Sequence, residues 1–310
     1  MKRINKLAGF ALLGMFFMGS ATVSNLQMNA IKAPGASGRS FEFQPAEQIE
    51  VGTEMMPLIG QLSKDGRTMY LTGQSHQGKK YLYKMNRPKL GAGFSKPEKV
   101  TGDINGGKYD IIMPTVSKDE QTMVFVHSAN GMQSGNDLYL ATKNATGEYS
   151  SIRSLDEVND PNVSDSYPWL SSDGLRIYFT KQHGSKITFF VSERSSLDAN
   201  FSKPSEMGVT LPKTNNNMSC YLSSDEKEFY ALSGESIFYA SRKSAKDKFS
   251  VPVEIANTSS SGYLSGIAIT DDASEMFVYN SVGFRNTQII RFVNKSKDVS
   301  PGLNAPAGGK

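Results

Sequence analysis

Three carboxylates stand where bond-breaking chemistry could be done. Glu54, Asp110 and Asp165 each precede a recurring Ser-x-Asp turn, by 11, 9 and 8 residues counted to its aspartate. Two carboxyl groups flanking one substrate supply the acid and the base, or the nucleophile, of glycoside hydrolysis. The unequal offsets put these three at non-equivalent points of the repeat, and loop carboxylates are ordinarily solvated turn residues. His76, His127 and His183 are the only histidines, and they fall in loops between the second and third strands of successive repeats. That separation is too wide for a shared zinc ion, whose nitrogen ligands sit about 2.0–2.1 Å from the metal. Met55, Met56, Met113 and Met218 precede the repeats' first strands and read either as a soft rim or as gap fillers. Cys220 is the single cysteine, so no internal disulfide forms, and a small buried filler is expected there. Neither a metal nor a cofactor is expected.

The elements that must position these residues follow from the repeat. Ser63-Lys64-Asp65-Gly66 recurs as Ser117-Lys118-Asp119, Ser171-Ser172-Asp173-Gly174, Ser223-Ser224-Asp225 and Thr270-Asp271-Asp272, with aspartates 54, 54, 52 and 47 residues apart. An apolar residue precedes each aspartate by three (Leu62, Val116, Leu170, Leu222, Ile269), and a short aromatic or β-branched run follows it. Such runs are strands, and Asp-Gly or Asp-polar pairs between them are hairpin turns. A third run follows a polar loop in each repeat. A fourth element is marked by Phe94 to Pro97, Phe201 to Pro204 and Phe249 to Pro252. Proline cannot donate to a ladder, so this element belongs at an edge. Four strands per repeat, radially arrayed, make an all-β, five-bladed β-propeller of four-stranded antiparallel blades.

The order of elements predicts how the ring closes. Residues 41–50 resemble a fourth element, with Phe43 and Pro45, whereas the chain's last repeat ends on a third element near Phe292. An N-terminal strand is therefore expected to complete the last blade, which removes exposed sheet edges. Residues 41–295 allow 51 residues for each of five blades, and no sixth turn motif is present.

Residues 1–21 read as a secretory signal: Lys2, Arg3 and Lys6 precede an apolar stretch from Leu7 to Met18, then Gly19-Ser20-Ala21. That stretch is too short to span a bilayer. Removing those three cations takes the formal charge from +4 to +1, so no basic surface points to nucleic acid. Residues 22–40 and 296–310 are small and polar and are expected to be a disordered linker and tail. The remaining 41–295 form one propeller, exported to the periplasm or secreted, with no membrane span after signal cleavage, and monomeric.

Tyr167-Pro168-Trp169-Leu170-Ser171-Ser172-Asp173-Gly174, followed by Leu175-Arg176-Ile177-Tyr178-Phe179, closely resembles the blade repeat of TolB-like propellers. Pro114 to Phe125 is similar, with Glu120 for the glycine. In repeats four and five Cys220 and Ile267 replace the proline, and Glu226 and Ala273 replace the glycine. The resemblance implies a non-catalytic scaffold that binds envelope or secreted proteins or peptides. No Gly-x-Ser-x-Gly elbow accompanies it, which excludes a peptidase of the α/β-hydrolase kind.

The loops that lead into the first strands ring one mouth of such a propeller. Glu54, Asp110, Asp165, Tyr167, Trp169, Asn216, Asn217, Tyr221 and Tyr263 are the residues expected to meet a protein or peptide there. The other reading is a glycoside-active or carbohydrate-binding propeller using Glu54, Asp110 and Asp165.

Overall fold

The computed structural model describes residues 27–30, 40–52, 56–75, 78–128, 135–212, 218–259, 263–281 and 287–296. All the strands among them lie in five antiparallel sheets. Blade 1 runs β3 (Met56–Leu62), β4 (Thr68–Gln74), β5 (Lys80–Asn86) and β6 (Glu98–Lys99). Blade 2 runs β7 (Ile112–Val116), β8 (Thr122–His127), β9 (Asp137–Thr142) and β10 (Arg153–Ser154). Blade 3 runs β11 (Ser164–Leu170), β12 (Arg176–His183), β13 (Lys186–Glu193) and β14 (Ser205–Glu206). Blade 4 runs β15 (Met218–Leu222), β16 (Glu228–Ser233), β17 (Ser236–Ser241) and β18 (Val253–Ser259). Blade 5 runs β19 (Tyr263–Ile269), β20 (Glu275–Ser281) and β21 (Thr287–Asn294), and its outer strand is β2 (Phe43–Ile49). The first strands touch in the cyclic order β3, β7, β11, β15, β19 and back to β3, which closes a five-bladed β-propeller.

β2 pairs with β21 from Phe43↔Asn294 to Ile49↔Ile289, as the element order predicts. Pro45 sits at a register shift in this pairing, a bulge where its missing N–H costs nothing. Pro97, Pro204 and Pro252 each stand one residue ahead of an outer strand, β6, β14 and β18. The Phe-x-x-Pro signal thus marks the approach to the edge rather than the edge itself.

One expectation is corrected. The stretch 22–40 is not wholly a disordered linker, because Gln27–Ala30 form β1, which pairs with β18 from Gln27↔Ser259 to Ala30↔Ala256. Blade 4 therefore has five strands, not four. β18 can accept a neighbour because it is seven residues long, whereas β6, β10 and β14 have two residues each.

The core lies between blades. Leu170, Ile177 and Phe179 of blade 3 meet Val124, Val126 and Leu138 of blade 2. Leu62, Met69 and Leu71 of blade 1 meet Ala268, Phe277 and Ile289 of blade 5. Each blade buries both faces against neighbours, which is why its strands read as continuous apolar runs rather than alternating ones. Among the described residues no helix is long and apolar enough to cross a membrane.

Candidate functional site

The five Ser/Thr-x-Asp motifs fold into one hydrogen-bonded turn. In blade 3 the Ser171 hydroxyl donates to Asp173 Oδ1 (2.5 Å), Leu175 N donates to the same oxygen (3.0 Å), and Arg176 N donates to Ser171 Oγ (2.8 Å). Ser63–Asp65, Ser117–Asp119, Ser223–Asp225 and Thr270–Asp272 repeat the first bond at 2.6 to 2.7 Å. Partial burial opposes ionisation of these carboxyls. Hydroxyl and backbone N–H donors outweigh it and hold all five below the usual carboxylate value of 3.8.

The residue after each aspartate has positive φ: Gly66 69°, Glu120 56°, Gly174 72°, Glu226 60° and Ala273 55°. Its carbonyl takes a side-chain donor in every blade. Arg87 Nε donates to Gly66 O (2.8 Å), Tyr149 OH to Glu120 O (2.7 Å) and Arg194 Nε to Gly174 O (2.9 Å). Arg242 Nε donates to Glu226 O (2.7 Å) and Asn294 Nδ2 to Ala273 O (3.3 Å). The three arginines lie over the phenylalanines of Phe-x-x-Pro: Arg87 on Phe94, Arg194 on Phe201 and Arg242 on Phe249, at 4.7, 4.7 and 4.2 Å.

Where glutamate replaces glycine, its carboxylate reaches back one blade. Glu120 accepts the Tyr70 hydroxyl (2.6 Å). Glu226 accepts the Tyr178 hydroxyl (2.5 Å) and both Nε and Nη2 of Arg176 (2.7 and 2.6 Å). At the closing seam the buried Arg87 of blade 1 pairs with Glu275 of blade 5 (Nη2 to Oε2, 2.8 Å). Glu275 also takes Arg291 Nε (2.5 Å), and Arg291 Nη1 pairs with Glu47 of β2 (2.8 Å). An ion chain thus runs from the closing strand into the first blade.

Trp169 and Tyr221, expected on the wall of the mouth, are fully enclosed. Trp169 is 0% exposed and Tyr221 2%, with their rings 6.4 Å apart in the wedge between blades 3 and 4. They are unavailable to a partner, because both fill the space between sheets that the smaller Gln61, Thr115 and Ala268 leave narrower at equivalent positions. Lys64, at 7% exposure, lays its Nζ 3.5 Å from the centre of the Trp169 ring. Blades 1 and 3 are not neighbours, so this contact reaches across the ring's axis. Cys220 is buried in the same wedge, and burial pushes its thiol up to about 12, which makes it inert.

The opposite, lead-in face is arranged differently. Lys80 at the start of β5 pairs with Asp110 of blade 2 (Nζ to Oδ2, 3.1 Å). Asp110 N donates to His127 Nδ1 (3.1 Å), so the proton of the neutral imidazole lies on Nε2. His127 forms a half-buried three-ring cluster with Tyr109 (5.4 Å) and Tyr139 (5.3 Å), and the two tyrosine rings are 5.4 Å apart. Asp137 faces His127 across the β8–β9 ladder. Burial raises its carboxyl, with nearby His127 opposing and Asp156 adding to the rise. In blade 3 Asp165 is 0% exposed, pairs with Lys181 (2.7 Å) and accepts Asp160 N (3.0 Å). Burial still raises its carboxyl against those bonds.

Solved structures with a similar fold exist. The chain is similar to a gluconolactonase from Xanthomonas campestris (8% identity, 86% of this chain and 95% of that one, TM-score 0.51). It is also similar to a putative TolB from Agrobacterium tumefaciens (15% identity, 76% of this chain and 73% of that one, TM-score 0.45). TolB from Acinetobacter baumannii is a further match (14% identity, 76% of this chain, TM-score 0.40), and this chain spans about half, 54%, of its length. The likeness is one of fold. No family model matches the sequence, and no curated protein matches it. A likeness of fold at 8% identity assigns neither catalysis nor its lack.

The structure brings Asp110 into one surface with Tyr109, His127 and Tyr139, and sets Asp165 beside Lys181 in the next blade. Tyr167 enters through a bulge at φ 52°, half-buried against Met113. Tyr263 opens β19, paired with Ser281. Glu54, Asn216 and Asn217 lie outside the described residues. Lys80, Lys181 and Tyr139 were missed by sequence reasoning, because each sits in a second or third strand and meets the lead-in loops only once the blades are stacked. Among the described residues no cluster of three His, Cys, Asp or Glu side chains could hold a metal.

Proposed function

We propose that the chain is an exported, non-catalytic propeller that binds an envelope or secreted protein, as a peptide-like segment, on its lead-in face. The observation that carries this reading is the Tyr109–His127–Tyr139 cluster, half-exposed and flanked by the Lys80–Asp110 pair. Aromatic faces with fixed charges at their rim are the composition of protein-binding hot spots. On sequence position alone, Tyr167, Tyr263, Glu54, Asn216 and Asn217 are added to the proposed surface. The N-terminal run of Lys2, Arg3 and Lys6 before a 12-residue apolar stretch supports export. Hydrolysis is disfavoured by the state of the carboxylates. Asp110 and Asp165 are each held by a lysine of their own, at 3.1 and 2.7 Å, rather than facing each other.

The test is a partner captured from the native envelope fraction and then purified. Tyr109→Ala is expected to weaken its binding by about tenfold or more, and Asp110→Ala to weaken it further in low salt than in high. Unchanged affinity in both variants overturns the reading. Turnover of an aryl furanoside or a sugar lactone that Asp165→Asn abolishes would replace it with the enzymatic one.

A further inference from the structure

The axis holds a second place that binding at the lead-in face does not use. One residue stands just before each of the five turn aspartates: Lys64, Lys118, Ser172, Ser224 and Asp271. Four are tied in sequence around the ring. Lys118 N donates to Ser172 O (2.9 Å), Ser172 Oγ to Ser224 O (3.0 Å), and Ser224 N to Asp271 Oδ1 (2.6 Å). Lys64 alone stands outside this chain of bonds and turns inward onto Trp169.

Around it the polar groups lack partners. Among the described residues no carboxylate lies within ion-pair distance of the Lys64 ammonium, although the residue is 7% exposed. The Trp169 indole N–H and the Ser224 hydroxyl are also buried without a hydrogen-bond partner. The indole face attracts a cation and so opposes neutralisation, but burial with the counter-ions at a distance strips the ammonium of hydration and favours the neutral amine. Asp271 and Glu226 are the carboxylates that act on it from a distance, and they only partly offset the burial.

We propose that Lys64 is a carbonyl-trapping amine that condenses reversibly with a small aldehyde reaching the axis of the ring. The Nζ lone pair adds to the carbonyl carbon, and a proton passes from nitrogen to the new alkoxide, giving a carbinolamine. The nitrogen lone pair then expels the hydroxyl, which leaves as water on protonation, and an imine remains. Hydrolysis returns both reactants, so no oxidant or reductant enters. The Trp169 N–H, on the ring that the amine touches and itself without a partner, is a donor free to hold the carbinolamine oxygen. Desolvated lysines next to apolar walls are the form in which this side chain acts as a nucleophile near neutral pH. A lowering of the lysine to about 7 by burial is consistent with that state.

The experiment uses the folded, full-length protein with propanal and sodium cyanoborohydride, which reduces the imine to a stable propyl-lysine. Tryptic mass spectrometry then reads each lysine. At pH 7 Lys64 is expected to be alkylated about tenfold faster than the exposed lysines, whose pKa near 10.4 keeps them protonated. Its rate should level off above pH 8 while theirs still climbs, and the preference should vanish in urea. Lys64 left unmodified, or modified with the same pH profile as exposed lysines such as Lys118, overturns the proposal. The wild-type chain carries the whole test, so no variant need fold for the answer.

Discussion

Asp173 and Asp165 stand eight residues apart in the same blade, and their surroundings shift the two carboxyls in opposite directions. Asp173 sits in the turn at one face of the ring, where Ser171 Oγ and Leu175 N overcome partial burial and hold its carboxyl low. Asp165 sits at the lead-in face, where burial outweighs Lys181 and the Asp160 N–H and holds it high. The turn face repeats this solution five times, with the same bonds at nearly the same lengths. The lead-in face does not repeat: a ring cluster in blade 2 and a buried lysine–carboxylate pair in blade 3 have no counterparts in one another's blades. Repetition here belongs to architecture, and the departures from it lie on the face proposed above for recognition.

The contrast can be tested, beginning where the effect should be greatest. Arg87→Ala leaves Glu275 buried and partly unpaired at the closing seam and should lower unfolding stability by about 3–5 kcal/mol in urea titration. A loss below about 1 kcal/mol would mean that the ion chain does not hold the seam. Lys64→Met removes a buried amine whose folded value, about 7, lies below its unfolded 10.5. Such a group makes stability rise as pH climbs from 7 to 10.5. The variant should gain about 3 kcal/mol at pH 7 and lose that rise, measured by thermal melts across the range.

The aspartates come next. The turn carboxyls contribute stability that is complete above their unfolded value of 3.8 and is lost as pH falls through their lower folded values. Asp165 and Asp137, raised when folded, act in the reverse sense: stability falls as pH rises from 3.8 through their folded values. Asp173→Asn should therefore flatten the acid limb of the stability curve, and Asp165→Asn the stretch above it. Carbon-13 carboxyl shifts in the wild type should show Asp165 protonating at the higher pH of the two. The reverse order would erase the distinction between the faces.

Smaller effects separate two turns of the same geometry. Ala273→Gly relieves a positive φ at the loss of one methyl buried in the core, and the two effects should nearly cancel, to within about 1 kcal/mol. Glu226→Gly relieves the same strain but strips Tyr178 and Arg176 of their acceptor, and should lose about 1–3 kcal/mol. The least effect on folding is expected at the lead-in face, where Asp110→Ala should shift stability by under about 1 kcal/mol while weakening the partner.

The architecture was legible because its signal is local and periodic. Five Asp-centred turns at steady spacing count the blades, and a lone Phe43–Pro45 element ahead of the first turn shows where the missing strand comes from. Trp169 and Tyr221 were harder to place, since an aromatic residue in an inner strand suits either an open wall or a closed wedge until neighbouring blades are stacked. The arginine clamps left a trace in the sequence that was overlooked: Arg87, Arg194 and Arg242 each stand seven residues ahead of Phe94, Phe201 and Phe249. The lead-in surface left none. Lys80 and Asp110 are 30 residues apart, and only the meeting of two blades puts opposite charges together.

The hydrogen bond from Glu42 N to Asn294 Oδ1 joins residues 252 positions apart. Contacts of that span form slowly, because the intervening chain must be gathered first. The ribosome releases β2 long before it makes β21, so a nascent chain carries an unmatched strand throughout its manufacture. The ring cannot become a ring until the final sheet has emerged, and a product cut short before residue 287 would wait indefinitely for a mate. Under the export proposed above, late closure keeps the unfinished molecule loose until delivery.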